Sequence, residues 1–227
     1  MRKYLIPILA LVVCAAASAG DMANFINLGF SENSRYYMFA QYGINTENFY
    51  PYADIFYVDV YNNKFVSNGV KSIEPEKAVE MGQTGFGAFL NLYASLGSKT
   101  RELKIDHLMT GRLIYLLIDG EKPKEELEFR DFVRGNKYKV NLIQKSYGSG
   151  KDISAAFHLN VFITDKNGNT NSHIVGLPDY KRKGVIQYRI KQIMFSPDES
   201  GLVLVIEKEF YSEDGINVRY MVETVKL

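Results

Sequence analysis

Two stretches in the middle of the chain alternate apolar and polar side chains with a period of two, and that period constrains the fold more than any other feature. Tyr138, Val140 and Leu142 alternate with Lys137, Lys139 and Asn141, and Phe157, Leu159, Val161 and Ile163 alternate with His158, Asn160 and Thr164. An extended strand turns successive side chains to opposite faces, so the pattern describes sheets with one dry and one wet face. Ile186, Tyr188 and Ile190 repeat it against Gln187, Arg189 and Lys191, while Leu202 to Ile206 is apolar on both faces, as in a central strand. Gly148-Ser149-Gly150 and Asp165-Lys166-Asn167-Gly168 supply turns, and Val218 to Val225 is the last strand.

The N-terminal half continues the theme. Phe25 to Phe30, Tyr36 to Gln41, Ala53 to Tyr61 and Phe65 to Lys71 are short apolar or aromatic runs parted by polar turns, which suits antiparallel neighbours, and Leu113 to Ile118 is a further strand. Between Glu74 and Gly97 the period changes. Pro75 suits a first helical turn, and Phe86, Phe89, Leu90, Tyr93 and Leu96 recur at helical spacing, with a break at Gly82 to Gly85. Residues 120–126, with Pro123 and four charges, read as an exposed connection. The expected fold is mainly β, with antiparallel sheets forming a propeller-like fragment, a sandwich or an open barrel, and one helical insertion around residues 75–96.

The N-terminus carries a processing signal. Arg2 and Lys3 precede an apolar core from Leu5 to Cys14, and Ala17-Ser18-Ala19 is a small-residue cleavage site, the order of a secretory signal peptide. The expected organisation is a signal peptide over 1–19, cleaved after Ala19, and a single β-rich secreted domain over 20–227 without an integral membrane span. Arg2 and Lys3 leave with the leader, so 25 basic residues then face 26 acidic ones. A near-neutral chain has no electrostatic footprint for nucleic acid. Lys181-Arg182-Lys183 is the one basic cluster, and with Gly184 after it the reading is a solvated turn. Cys14, the sole cysteine, also leaves, so stability is expected from burial without disulfides.

The two ends of the chain resemble each other. Leu28-Gly29-Phe30-Ser31-Glu32-Asn33 and its following strand match Ile193-Met194-Phe195-Ser196-Pro197-Asp198 and its following strand, which suggests a repeated β-unit. The Phe-Ser-Pro-Asp turn is similar to those that open blades in TolB-type propellers. Gly20-Asp21-Met22-Ala23-Asn24-Phe25-Ile26-Asn27-Leu28-Gly29-Phe30-Ser31, Phe39-Ala40-Gln41-Tyr42-Gly43 and Arg219-Tyr220-Met221-Val222-Glu223-Thr224 resemble a family of predicted secreted bacterial proteins. The resemblance implies export, to the periplasm or beyond, and a single domain. It carries no catalytic residue.

Most catalytic chemistry lacks its residues. Without a mature cysteine there is no thiol nucleophile or thiolate metal site. His107, His158 and His173 are scattered, and no Gly-x-Ser-x-Gly elbow is present. Gly148-Ser149-Gly150-Lys151 lacks the earlier glycine and the hydroxyl of a phosphate loop. Asp165, Asn167 and Asn169 have calcium-loop spacing, but Thr170 and Gly176 stand where the turn glycine and the closing acid belong. No cofactor, metal or catalytic residue is assigned. Asp54, Asp59, Glu207, Glu209 and Glu223 lie in or beside strands, and two of them converging would do glycosidase-type work.

For binding, the aromatic loop stands out. Tyr42, Phe49, Tyr50 and Tyr52, with Asn45 and Asn48 nearby, offer rings and amides to a partner. The sequence thus points to a non-enzymatic binding or scaffolding protein of the cell envelope whose partner is an envelope protein ahead of a glycan. A periplasmic hydrolase using paired carboxylates is the alternative.

Overall fold

The structure is a computed structural model and describes residues 20–213 and 215–227. The signal sequence and Cys14 lie outside the described residues. In chain order the strands are β1 (Asn24–Ser31), β2 (Tyr36–Ile44), β3 (Pro51–Asp59), β4 (Lys64–Ile73), β5 (Ile105–Asp106), β6 (Arg112–Leu116), β7 (Glu126–Arg130), β8 (Lys137–Tyr147), β9 (Ser154–Thr164), β10 (Thr170–Lys183), β11 (Val185–Phe195), β12 (Gly201–Ser212) and β13 (Gly215–Lys226). Helices α1 (Phe86–Ser95) and α2 (Gly97–Glu102) separate β4 from β5.

These strands form three antiparallel sheets. Sheet I has the order β4-β3-β2-β1-β5, sheet II β10-β9-β8-β7 and sheet III β13-β12-β11-β6. Sheet III is the middle layer. Met194, Val203, Val205, Val218 and Val222 pack against Phe30, Tyr37, Phe39, Val58 and Val60 of sheet I. Its other face, with Tyr188, Ile193, Phe195, Leu204 and Ile206, meets Tyr138, Val140, Phe157, Leu159 and Val161 of sheet II. β12 is therefore dry on both sides, which is why Leu202 to Ile206 shows no alternation. Helix α1 covers the outer face of sheet I, setting Phe89 and Leu92 against Met38, Ala40 and Ile55. The sheets stack as open layers and none closes into a barrel. Among the described residues no helix is long and apolar enough to cross a membrane.

The helix begins at Phe86, at the end of the expected break. Residues 74–85 are loop because their backbone is spent elsewhere: Val79 N–H donates to the Phe49 carbonyl, and Gly82 adopts φ +87. The periodicity also passed over three strands. β5 has only two residues, β7 is short and highly charged, and β10 carries Pro178 and a register shift between Leu177 and Arg182. Lys181-Arg182-Lys183 ends β10 instead of forming the expected turn, which falls at Gly184. The reason is packing: the Arg182 guanidinium lies over the Phe157 and Tyr188 rings.

The repeated sequence units fold alike. Ser31 Oγ donates to Asn33 Oδ1 at 2.8 Å and accepts the Tyr36 N–H at 2.9 Å. Ser196 Oγ donates to Asp198 Oδ1 at 2.8 Å and accepts the Gly201 N–H at 2.9 Å. Ser34 and Glu199 take matching positive φ angles of 56° and 58°, and the turns touch where Asp198 N–H donates to Ser34 Oγ. Each turn joins the first two strands of its unit, β1 to β2 in sheet I and β11 to β12 in sheet III.

Candidate functional site

Strand register sets one residue from each of three strands in a row across sheet III. Arg189 on β11 pairs with Glu207 on β12, which pairs with Tyr220 on β13. Cross-strand partners share a face, and two-residue alternation from Val203 and Val205 turns this row toward sheet I. Met22 bridges to Val218 beside it, and the connection after β6 crosses the other side. Between them lies a cavity of about 650 Å³. Met22, Ala23, Phe25, Leu117 and Ile118 give it an apolar wall, and Asp119, Glu121, Arg189, Lys191, Glu207 and Tyr220 a polar one.

The charges of this cavity are unevenly matched. Glu207 and Glu209 are both buried, and they share one cation. Arg189 Nη1 stands 3.6 Å from Glu207 Oε1, while Nη2 pairs with the Glu209 carboxylate. Gln187 Nε2 donates to Glu209 Oε2 at 2.5 Å, leaving Glu207 the less satisfied acid. Lys191 is held by Asp119 at 2.9 Å. Burial pushes the Glu207 carboxyl above its ordinary range against the pull of Lys191 and Arg189, and Glu209 and Asp119 push the same way as burial. Burial, aided by Glu207, also raises the Tyr220 hydroxyl to about 12. A concave site with a desolvated carboxyl and convergent polar groups suits ligand binding. Among the described residues its lining includes no Ser, Thr, Cys or His.

The other acids singled out by sequence go elsewhere. Glu223 lines a second cavity, where Asn63 Nδ2 donates to it at 2.6 Å, and Asp54 lines a third with Tyr52 and Arg219. Asp59 is buried and held by Arg35 at 3.0 Å and by Asn62 at 2.8 Å. His107 lies between the Tyr93 hydroxyl at 2.7 Å and the Leu28 carbonyl at 2.6 Å. Asp165 accepts from Asn167 and Asn169 of its own turn. Among the described residues no group of three or more His, Cys, Asp or Glu side chains is arranged to hold a metal.

The four aromatic-loop residues diverge. Tyr42 packs on Phe86 and Phe89 of α1, with ring centroids 5.5 and 5.9 Å away. Tyr52 faces the opposite side of sheet I, buried, with its hydroxyl donating to Asp21 and Arg219 stacked on its ring. Phe49 is exposed at the tip with φ +59, and Tyr50 beside it is half-buried. Asn45 and Asn48 both donate to Glu74. The sequence reading missed Asp119, Arg189, Lys191 and Tyr220 as site residues. The polar alternation of Gln187, Arg189 and Lys191 was visible, but it does not show which carboxylates stand across the ladder.

A family model described as "Predicted secreted protein (DUF2259)" matches residues 38–226, from within β2 to the end of β13. No curated protein matches the chain.

Proposed function

Since the chain belongs to the DUF2259 family of predicted secreted proteins, we propose that it works outside the cytoplasm as a non-enzymatic binding protein of the cell envelope, with a small amphipathic amine as ligand of the Glu207 cavity. One observation carries this reading. Glu207 and Glu209 share the single guanidinium of Arg189, and Asp119 occupies Lys191, so acids outnumber cations around an apolar-walled cavity. A ligand ammonium would complete the pairing of Glu207, and Phe25 and Ile118 would cover its apolar part.

Cleavage after Ala19 to release one domain over 20–227 belongs to the same reading. So does a second contact at the loop tip, where exposed Phe49 and neighbouring Tyr50 suit a protein partner; Tyr42 and Tyr52 would support that tip from within the sheet. The paired Ser-x-Asx turns support treating sheets I and III as related units with TolB-like turn chemistry.

Calorimetric titration with benzylamine, and with benzyl alcohol as its uncharged counterpart, tests the cavity. Benzylamine is expected to bind, and Glu207→Gln to weaken it about ten-fold or more. Equal binding of the alcohol, or no effect of the substitution, would refute the amine reading. The alternative, a hydrolase, draws on the raised Glu207 carboxyl beside Asp119 and Glu121. It requires turnover of chromogenic glycosides that both Glu207→Gln and Asp119→Asn abolish.

A further inference from the structure

The neighbouring row of sheet III holds a second set of charges, half-buried, with the reverse imbalance. Tyr188, Lys208 and Arg219 form the next cross-strand row, one residue from the Arg189–Glu207–Tyr220 row; Tyr188 packs against sheet II, while Arg219, on the edge strand β13, pairs with Asp21 and stacks on the Tyr52 ring of sheet I. Arg182 enters the same layer from β10, opposite Ala155. Its guanidinium lies over the rings of Tyr180 at 4.9 Å, Phe157 at 5.3 Å and Tyr188 at 5.9 Å. Those rings hold the group in place, yet among the described residues no carboxylate lies within ion-pair distance of it. Its Nη1 is buried without a hydrogen-bond partner. A buried donor without an acceptor is costly, and native proteins rarely retain one without a use.

The surroundings specify the missing acceptor. Arg182 and Glu223 line a cavity of about 310 Å³ whose other walls include Val58, Phe65, Leu177 and Met221. Glu223 attracts Arg182 through space without reaching ion-pair distance, and its carboxyl accepts from Asn63 Nδ2. Lys208 also lacks an ion pair among the described residues. Burial, then Arg182 and Arg219, push its ammonium down to about 8. Unpaired half-buried cations favour an anion, while the neighbouring Glu223 disfavours a second negative charge on it.

We propose that this cavity binds a small apolar monocarboxylate, with the ligand carboxylate on Arg182 and its hydrocarbon part against Phe65, Leu177 and Met221. The site is separate from the Glu207 cavity and does not depend on the amine reading. Hexanoate is the probe, hexanamide and inorganic phosphate are the comparators, and binding to the full chain is followed by calorimetry. Hexanoate is expected to bind saturably and the comparators not to. Arg182→Gln is expected to weaken hexanoate about ten-fold or more.

Arg182 is also packed on three rings, so a second variant guards against loss of the fold. Leu177 is 57% exposed at the cavity, and Leu177→Trp is expected to block entry while leaving thermal unfolding unchanged. Loss of hexanoate binding in folded Leu177→Trp supports the site. Unchanged binding in that variant, binding of hexanamide equal to hexanoate, stronger binding of phosphate, or no hexanoate binding to the native protein would each overturn it.

Discussion

Rows Arg189–Glu207–Tyr220 and Tyr188–Lys208–Arg219 are neighbours on the same three strands, yet they contain opposite electrostatic problems. In the first, one guanidinium serves two buried carboxylates. In the second, Arg219 is paired with Asp21, but Lys208 and the nearby Arg182 are without ion pairs among the described residues, and the Glu223 carboxyl beside Arg182 accepts from an amide. A step of one residue along a strand thus changes the sign of the unmet charge. The fold can present an acidic cavity over the central strands of sheet III and a basic one at its β13 edge, where residues of sheets I and II meet.

The largest test of this contrast removes each guanidinium in turn. Arg189→Leu leaves Glu207 and Glu209 buried without their cation, and is expected to cost about 3 kcal/mol or more of stability in urea unfolding. Arg182→Leu breaks no ion pair, leaves Glu223 its Asn63 donor and gives up mainly ring contacts, about 1 kcal/mol. Equal losses would mean that the two arginines do the same structural work. A smaller pair of changes addresses the acids. Asn63→Gly removes the 2.6 Å donor to Glu223 and the acceptor of Thr224 N–H, without new strain at its φ of +48°, and is expected to cost about 2 kcal/mol. Gln187→Ala takes one donor from Glu209, which keeps Arg189, so the loss should stay below about 1 kcal/mol. The reverse order would show that Arg189 does not hold Glu209.

Much of this architecture is legible in the sequence, and the reason is local. Period two marks β8, β9 and β11, and the dry run of β12 marks a central strand, because burial of each face is written along the strand itself. Ser31-Glu32-Asn33 and Ser196-Pro197-Asp198 announce their turns because the hydrogen bonds of the two serine hydroxyls close within five residues. The acids Glu207, Glu209 and Glu223 are also found as strand carboxylates. Their partners are not, since Asn63 is 160 residues from Glu223 and only ladder register sets Arg189 opposite Glu207. Arg182 was misread for the same reason. A basic triplet before glycine looks solvated until the rings of β9 and β11 come over it.

The finest distinction between the two rows is a slope with pH. A carboxyl whose folded pKa lies above its unfolded value stabilises the fold fully only below that unfolded value, near 4.3, and the contribution is lost as pH rises through the folded pKa. Glu207 is in this position through burial, with Arg189, Lys191, Tyr220, Glu209 and Asp119 acting on it. The stability of the native chain minus that of Glu207→Gln should therefore fall as pH rises from about 4.3. Lys208 is shifted the other way for a base: its charged form is disfavoured in the fold, so the penalty is full below about 8 and relieved between there and its ordinary 10.5. Native minus Lys208→Met should be flat in the acid range and rise across that alkaline window. Urea midpoints measured along a pH series give both curves. A flat acid curve would mean that Arg189 keeps Glu207 at its ordinary pKa. A flat alkaline curve would mean that Lys208 reaches solvent or a partner, and the contrast between the two rows would then rest on Arg182 alone.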